Sequence, residues 1–481
     1  MTGIYDISAI SKIIARGSGL MEGAAMKRLI CRTVPFVMAA ALISIAAPAR
    51  AGVHEGDIDG VPYRVEVPSR WNGTLLLWSH GAYSLEFPAP TDISLTNHPA
   101  TERWLLDHGY ALAASQFRTV RGWGVVESGL KDQIALLDWF TANVGKPRRT
   151  ISAGASAGGL VAVLLAERNP ARFAGVASLC GVLGGTTGHF NSALDANFAI
   201  KTLVDPGLEL VRIKDPEANT SNARGVLTSA LGDASGRARL ALASALADVP
   251  ARYTSRAPTP KTLAEQVQQQ YYYAAYDRGA FWGLNRSDME SRAGGNPSWN
   301  TGVDYRKLFA RSSQKSLVIK AYREAGLSLR KDLERLNAAP RIKADPKAVR
   351  YMDRFGTPTG RTPWPVITLH STGDGNVPPE NQRYYATQVR RAGNPANLKQ
   401  LYVDRGNHCT FSASEEITAL RTLLTRMDTR HWPGTRPSVL NRAAASLGPD
   451  YQTVFDPDPE PGLHPTTPSF TLHHPSRYLR P

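Results

Sequence analysis

The sequence predicts an α/β fold: a mostly parallel sheet flanked by helices, with a large, mainly helical cap inserted before the last strands. Three observations carry this expectation. Short apolar runs alternate with helical stretches through the N-terminal part, as repeated strand–helix–strand units do. The alternation stops near Gly184 and resumes at Pro365-Val366-Ile367-Thr368-Leu369-His370. The intervening stretch of about 180 residues reads as helix after helix.

Each element has its own warrant. Residues 63–67 alternate apolar and polar, as an edge strand does, whereas 74–79 and 110–115 are continuous apolar runs suited to strands covered on both faces. A helix is expected around Trp104-Leu105-Leu106, and another over 130–144 with Ile134, Leu137, Phe140 and Val144 on one face. Residues 149–153 read as a strand, 159–168 as a helix rich in good helix formers, and 173–180 as the next strand. In the insertion, 223–231 and 238–247 are Ala/Leu-rich helices separated by Gly232-Asp233-Ala234-Ser235-Gly236. Helices are also expected over 263–276 and within 314–336. After the insertion come a helix at 380–391, a strand at 398–403 and a helix at 413–427. This divides the chain into 1–51, a core part at 52–185, a cap at 186–361, a second core part at 362–430 and a proline-rich extension at 431–481.

The first 51 residues read as a secretory signal peptide. Met26-Lys27-Arg28 is a basic start, 33–47 is apolar and Ala49-Arg50-Ala51 is a small-residue cleavage site, with Met21 and Met26 as alternative starts. The expected location is secreted or periplasmic. The apolar stretch is short for a membrane span and no later segment is longer, so no span is expected once the signal is removed. Removal lowers the net charge from +15 to +11, spread along the chain as on a solvated basic surface. No zinc-finger spacing or other nucleic-acid motif is present, so nucleic acid is not an expected partner. No histidine and carboxylate stand at metal-ligand spacing; neither a metal nor another cofactor is expected.

Chemistry enters at Gly154-Ala155-Ser156-Ala157-Gly158, between an expected strand and an expected helix. A serine on such a turn needs small flanking residues, and the N–H after it sits at a helix N-terminus, where developing negative charge is stabilised. A serine nucleophile also needs a base, and the base a group to orient it. Catalytic groups of an α/β sheet lie on loops at the C-terminal ends of its strands. The strand ending at His370 leads into Ser371-Thr372-Gly373-Asp374-Gly375-Asn376-Val377-Pro378, and the next leads into Arg405-Gly406-Asn407-His408-Cys409. Ser156, Asp374 and His408 therefore fall on one sheet edge, in the order serine, acid, base.

On these motifs the chain resembles the α/β-hydrolase-fold serine hydrolases over residues 60–185 and 362–430. The resemblance implies Ser156 as nucleophile, Asp374 as orienting acid and His408 as general base. The segment Trp78-Ser79-His80-Gly81-Ala82-Tyr83 resembles the family's His-Gly oxyanion segment, which implies the N–H groups of Ala82 and Ala157 as oxyanion donors. His80 is expected to support the oxyanion loop, His370 to point into the strand end, and His464, His473 and His474 to lie outside the site.

Of three cysteines, Cys31 leaves with the signal. Cys180 and Cys409 both approach the active edge, where they form either a disulfide pinning the His408 loop or two buried thiols. Secreted feruloyl esterases and tannases pair the cysteine beside the catalytic histidine with one just before the serine; here Ala155 holds that position. The aromatic run Gln270-Tyr271-Tyr272-Tyr273-Ala274-Ala275-Tyr276, with Phe281, Trp282 and Trp299, either lines an acyl pocket or packs the cap core. The resemblance favours a secreted hydrolase of small-molecule or polymeric carboxylic esters. An exported peptidase or amidase of the same fold and an inactive binding protein are the other readings.

Overall fold

The computed structural model describes residues 51–255, 259–456, 462–478 and 480. The signal-peptide reading, residue 51 apart, lies outside the described residues, as do residues 457–461 of the proline-rich stretch. In chain order the N-terminal core holds β1 (Gly52–Ile58), β2 (Val61–Val67), β3 (Thr74–Ser79), α1 (Pro99–Asp107), β4 (Ala111–Ser115), α2 (Val125–Asn143), β5 (Arg149–Ala155), α3 (Ala157–Arg168) and β6 (Gly175–Leu179). The insertion holds α4 (Thr186–Leu203), α5 (Pro216–Leu231), α6 (Ala234–Ala245), α7 (Leu263–Tyr272), α8 (Leu284–Ala293), α9 (Tyr305–Arg311), α10 (Lys315–Glu324), α11 (Leu329–Ala338) and α12 (Pro346–Gly356). The chain then returns through β7 (Val366–Gly373), α13 (Glu380–Arg391), β8 (Leu398–Gly406) and α14 (Ala413–Thr429), and ends with α15 (Pro437–Ala445), β9 (Thr453–Asp456), β10 (Gly462–Pro465) and β11 (Phe470–Thr471).

The main sheet has nine strands in the order β1-β2-β4-β3-β5-β6-β7-β8-β11. From β4 to β8 every neighbouring pair is parallel; β1, β2 and β11 join antiparallel at the two edges. All residues of β3 and β4 are buried, because helices cover both faces. Leu136, Leu137 and Phe140 of α2, the apolar run of α3, and Tyr385 and Val389 of α13 pack on one face. Trp104 and Leu105 of α1, Ile417, Leu420 and Leu423 of α14, and Leu440 of α15 pack on the other. The insertion has its own core, built around α4, α6, α7 and α10. Its helices start on local signals: Asp215 caps α5 with Pro216 behind it, and Thr262 and Glu265 form a reciprocal capping box on α7.

The structure extends the sequence reading at three places. The 63–67 strand is second from the edge, because the charged β1 turns at Asp59-Gly60 and pairs with it over seven residues. The expected helix over 263–276 changes after Tyr272 into one π turn, Tyr273–Asp277, closed by the Arg278 N–H on the Tyr273 carbonyl at 2.7 Å. The extension from 431 wraps back: β11 pairs with β8, and Arg480 donates to buried Asp195 of the cap at 2.5 Å. Among the described residues no helix is long and apolar enough to cross a membrane.

Candidate active site

Ser156 stands between β5 and α3 with φ 58° and ψ −124°, a region that a serine occupies only when its surroundings hold it there. Its N–H donates to the Leu179 carbonyl at 3.0 Å, tying the turn to β6. The flanking glycines are required by packing. A Cβ on Gly158 would overlap the Ser79 carbonyl oxygen, and one on Gly154 would overlap that of Gly158.

His408 and Asp374 arrive from the ends of β8 and β7. Nε2 of His408 lies 2.8 Å from Ser156 Oγ, and Nδ1 lies 2.7 Å from Asp374 Oδ2. With Nδ1 protonated toward the carboxylate, Nε2 is free to accept the serine proton. Asp374 is fully buried, and its other oxygen accepts the Val377 N–H at 2.8 Å. Burial alone would lower the His408 pKa; the charge and hydrogen bond of Asp374, with help from Asp277, outweigh it and hold it above the ordinary value.

Two further histidines hold loops. His370 on β7 places Nε2 2.7 Å from the Val377 carbonyl, while Nδ1 takes Gln382 at 2.9 Å, which braces the acid loop from below. His80 stacks on Phe117 and Tyr83, with its nitrogens on the Gly81 and Gln116 carbonyls. Burial lowers the pKa of both. Gly81 comes directly against Ser156, since a Cβ there would lie 3.7 Å from its Oγ. Ala82 follows it, half-buried against the sheet core, and Ala157 is the buried first residue of α3. Among the described residues no backbone hydrogen bond occupies the N–H of either alanine.

Cys180 and Cys409 form a disulfide with Cα atoms 5.3 Å apart, joining the end of β6 to the residue after His408. Cys180, Asn407 and Cys409 all have positive φ, so the bond secures a loop that is bent sharply at His408. Among the described residues, these two sulfurs and His408 are the grouping with metal-like proximity, and the sulfurs are already bonded to one another.

The cap adds groups that the sequence reading did not single out. Tyr273 is fully buried and its hydroxyl reaches Gly373 and Asn407. Burial and Asp374 push the Asp277 carboxyl up to about 7, although His408 pulls it down. Arg278 donates to the Gly375 carbonyl at 3.3 Å, and burial lowers its pKa to about 10. The tyrosine run was visible in the sequence; a π turn, which decides which ring points at the sheet, leaves no such signal. Tyr271 and Trp282 join the cap core, and Phe281 packs on Phe190. Of the two readings the aromatic run allowed, these three residues follow the cap-packing one.

Six parallel strands with antiparallel edge strands, a strained serine turn after β5, and the loops of Asp374 and His408 after β7 and β8 define an α/β-hydrolase fold. No protein-family model matches the chain. It is 29% identical over 433 residues, 83% of this chain and 92% of the other, to an o-phthalyl amidase from Xanthobacter agilis. A solved esterase from Aspergillus oryzae aligns at 12% identity and TM-score 0.38, covering 79% of this chain and 80% of that one. A puromycin-hydrolysing peptidase from Mycobacterium tuberculosis aligns at 13% and TM-score 0.35 over 81% of this chain. There, this chain spans only 41% of the peptidase's length.

Proposed function

We propose that the protein is an exported serine hydrolase that cleaves carboxylic acid derivatives through an acyl-enzyme on Ser156. The observation that carries this reading is the unbroken contact chain from Ser156 Oγ through His408 to buried Asp374. His408 takes the serine proton as Oγ attacks the carbonyl, and returns it to the leaving group. Water, activated by the same nitrogen, then releases the acid. The N–H groups of Ala82 and Ala157 receive the developing oxyanion.

Ester and amide substrates use the same relay. The ester reading comes from the sequence motifs; the amide reading is favoured by a relative named as an amidase that aligns over most of both chains. The test is a panel of p-nitrophenyl esters, aminoacyl amides and an o-phthalyl amide, run on the chain from Gly52 with Ser156→Ala beside it. Turnover that Ser156→Ala abolishes supports the reading, and the ratio of kcat/KM values ranks ester against amide. Undiminished turnover in Ser156→Ala overturns the role of Ser156, and failure of the wild type to label with a fluorophosphonate favours a binding protein instead.

A further inference from the structure

The π turn Tyr273–Asp277 is the place where the cap grips the two loops that carry the acid and the base. The Tyr273 hydroxyl donates to the Gly373 carbonyl at 2.5 Å, with the Arg252 carbonyl as a second acceptor at 3.0 Å. It also accepts the Asn407 N–H at 3.0 Å. Gly373 immediately precedes Asp374, and Asn407 immediately precedes His408. The ring lies so close over Gly375 that a Cβ there would overlap Cδ2, and Arg278 holds the Gly375 carbonyl at 3.3 Å. The carbonyls on either side of Asp374 and the N–H before His408 are thus all bound by Tyr273 and Arg278, the two ends of one six-residue cap segment.

The strand pairing explains why an outside group is needed here. β7 and β8 run in register from Val366 to Ser371, then shift, so that Gly373 faces Gly406 across an irregular step. Beyond that step the ladder no longer sets the spacing of the two chains, and Asn407 turns away with φ 67°. The hydroxyl supplies the missing rung: it accepts from one strand end and donates to the other.

We infer that Tyr273 is a positioning residue, through which the seating of the cap sets the alignment of Asp374 with His408. The inference rests on the serine-hydrolase reading above. Ring packing alone would make Tyr273 a stability residue with no effect on the relay. Its hydroxyl, by contrast, joins the backbone of both catalytic loops, and loss of that tie loosens the Asp374–His408 contact. The titratable and charged groups around His408 are Asp374 and His370 from β7 and its end, Asp277 of the π turn, His189 of α4, and Arg278, which acts on Asp374, Asp277 and His189. Of these, Asp374 contributes most to keeping the imidazole protonated, so a looser contact moves the base's titration down.

The experiment compares wild type, Tyr273→Phe and Tyr322→Phe by fluorophosphonate labelling at Ser156 across pH, with thermal melts of each. Tyr322 is a buried cap tyrosine whose hydroxyl bonds Asp332, away from the loops, and it reports pure cap destabilisation. Tyr273→Phe is expected to slow the saturating labelling rate about 10- to 100-fold. The half-saturating concentration should change less than about threefold, and the acidic limb should move to lower pH. Tyr322→Phe should keep the wild-type rate and limb. Should Tyr273→Phe fail to fold, Arg278→Lys withdraws the grip on Gly375 and is expected to shift rate and limb the same way by less. Wild-type rate and limb in Tyr273→Phe overturn the inference, and so does an equal slowing in Tyr322→Phe. A wild type that never labels overturns the hydrolase reading and takes this inference with it.

Discussion

Arg405 and Glu415 close the neck of the loop that carries His408, through a two-pronged ion pair of 2.5 and 3.0 Å with both side chains buried. Arg405 also donates to the Thr410 carbonyl at 3.0 Å, and Glu415 accepts the Ser412 and Ser469 N–H groups at 2.9 Å. Burial would raise the Glu415 pKa, but the charge and hydrogen bonds of Arg405 overcome this and hold it below the ordinary value. The pair therefore fixes the entry and exit of the loop, the start of α14 and the C-terminal extension together.

Glu415→Gln keeps the shape and leaves a buried guanidinium without its counter-charge. Removing one partner of such a pair costs about 3–5 kcal/mol. The midpoint of denaturant unfolding should fall accordingly, and labelling at Ser156 should slow because the loop's neck is released. An unchanged midpoint would mean that neutral hydrogen bonds alone hold the loop.

In the proposed relay His408 must be neutral to accept the serine proton, and Asp374 holds it above the ordinary histidine pKa. The rise of kcat/KM with pH should therefore be centred above about 6.5. Asp277, to the extent that it is ionised near its own value of about 7, adds to the same effect, so Asp277→Asn should move this limb to lower pH while leaving a folded, active protein. A limb that stays in place would exclude Asp277 from the field acting on the base.

The Cys180–Cys409 bond joins residues 229 apart in the sequence and ends beside His408. Chain-entropy arguments give such a bond on the order of 5 kcal/mol. Reduction, or the paired Cys180→Ala and Cys409→Ala substitutions, should lower the melting temperature and slow labelling of Ser156. Intact mass after alkylation of unfolded, unreduced protein checks the bond itself; two alkylated cysteines would exclude it.

Much of this was legible in the sequence because local chemistry reports it. Gly154, Gly158 and the apolar runs around them marked the turn. The order of Asp374 and His408 followed from strands that end where their apolar runs end. Tyr273 and the Arg405–Glu415 pair were not legible, because what matters there is which distant backbone group each side chain meets. β1 escaped because Gly52–Ile58 is mostly exposed and carries no buried alternation. The helix α4 is buried on nearly all sides and α8 is mostly polar, so no single apolar face announced either.

Several buried carboxyl groups make stability depend on pH in a direction opposite to that of Glu415. Burial and the neighbouring Asp248 push Glu380 up to about 8, burial pushes Glu416 up to about 7, and burial pushes Asp195 up to about 6 against the pull of Arg480. Each holds a proton in the folded state at a pH where the unfolded chain has lost it. Their contribution is complete below the unfolded pKa near 4 and is lost as pH rises through the folded value. Glu415 contributes the reverse, present above its unfolded pKa and lost in acid, so it limits the low-pH side. The melting temperature should therefore be highest near pH 5 and fall toward pH 8. Glu380 is the group to change, since Ser476 Oγ lies 3.1 Å from it and 3.4 Å from Asp248, tying the C-terminal extension to α13. Glu380→Gln keeps a hydrogen-bonding side chain, removes the highest of these titrations and should flatten the decline between pH 6 and 8. An equally steep decline in Glu380→Gln would assign the pH dependence to other groups.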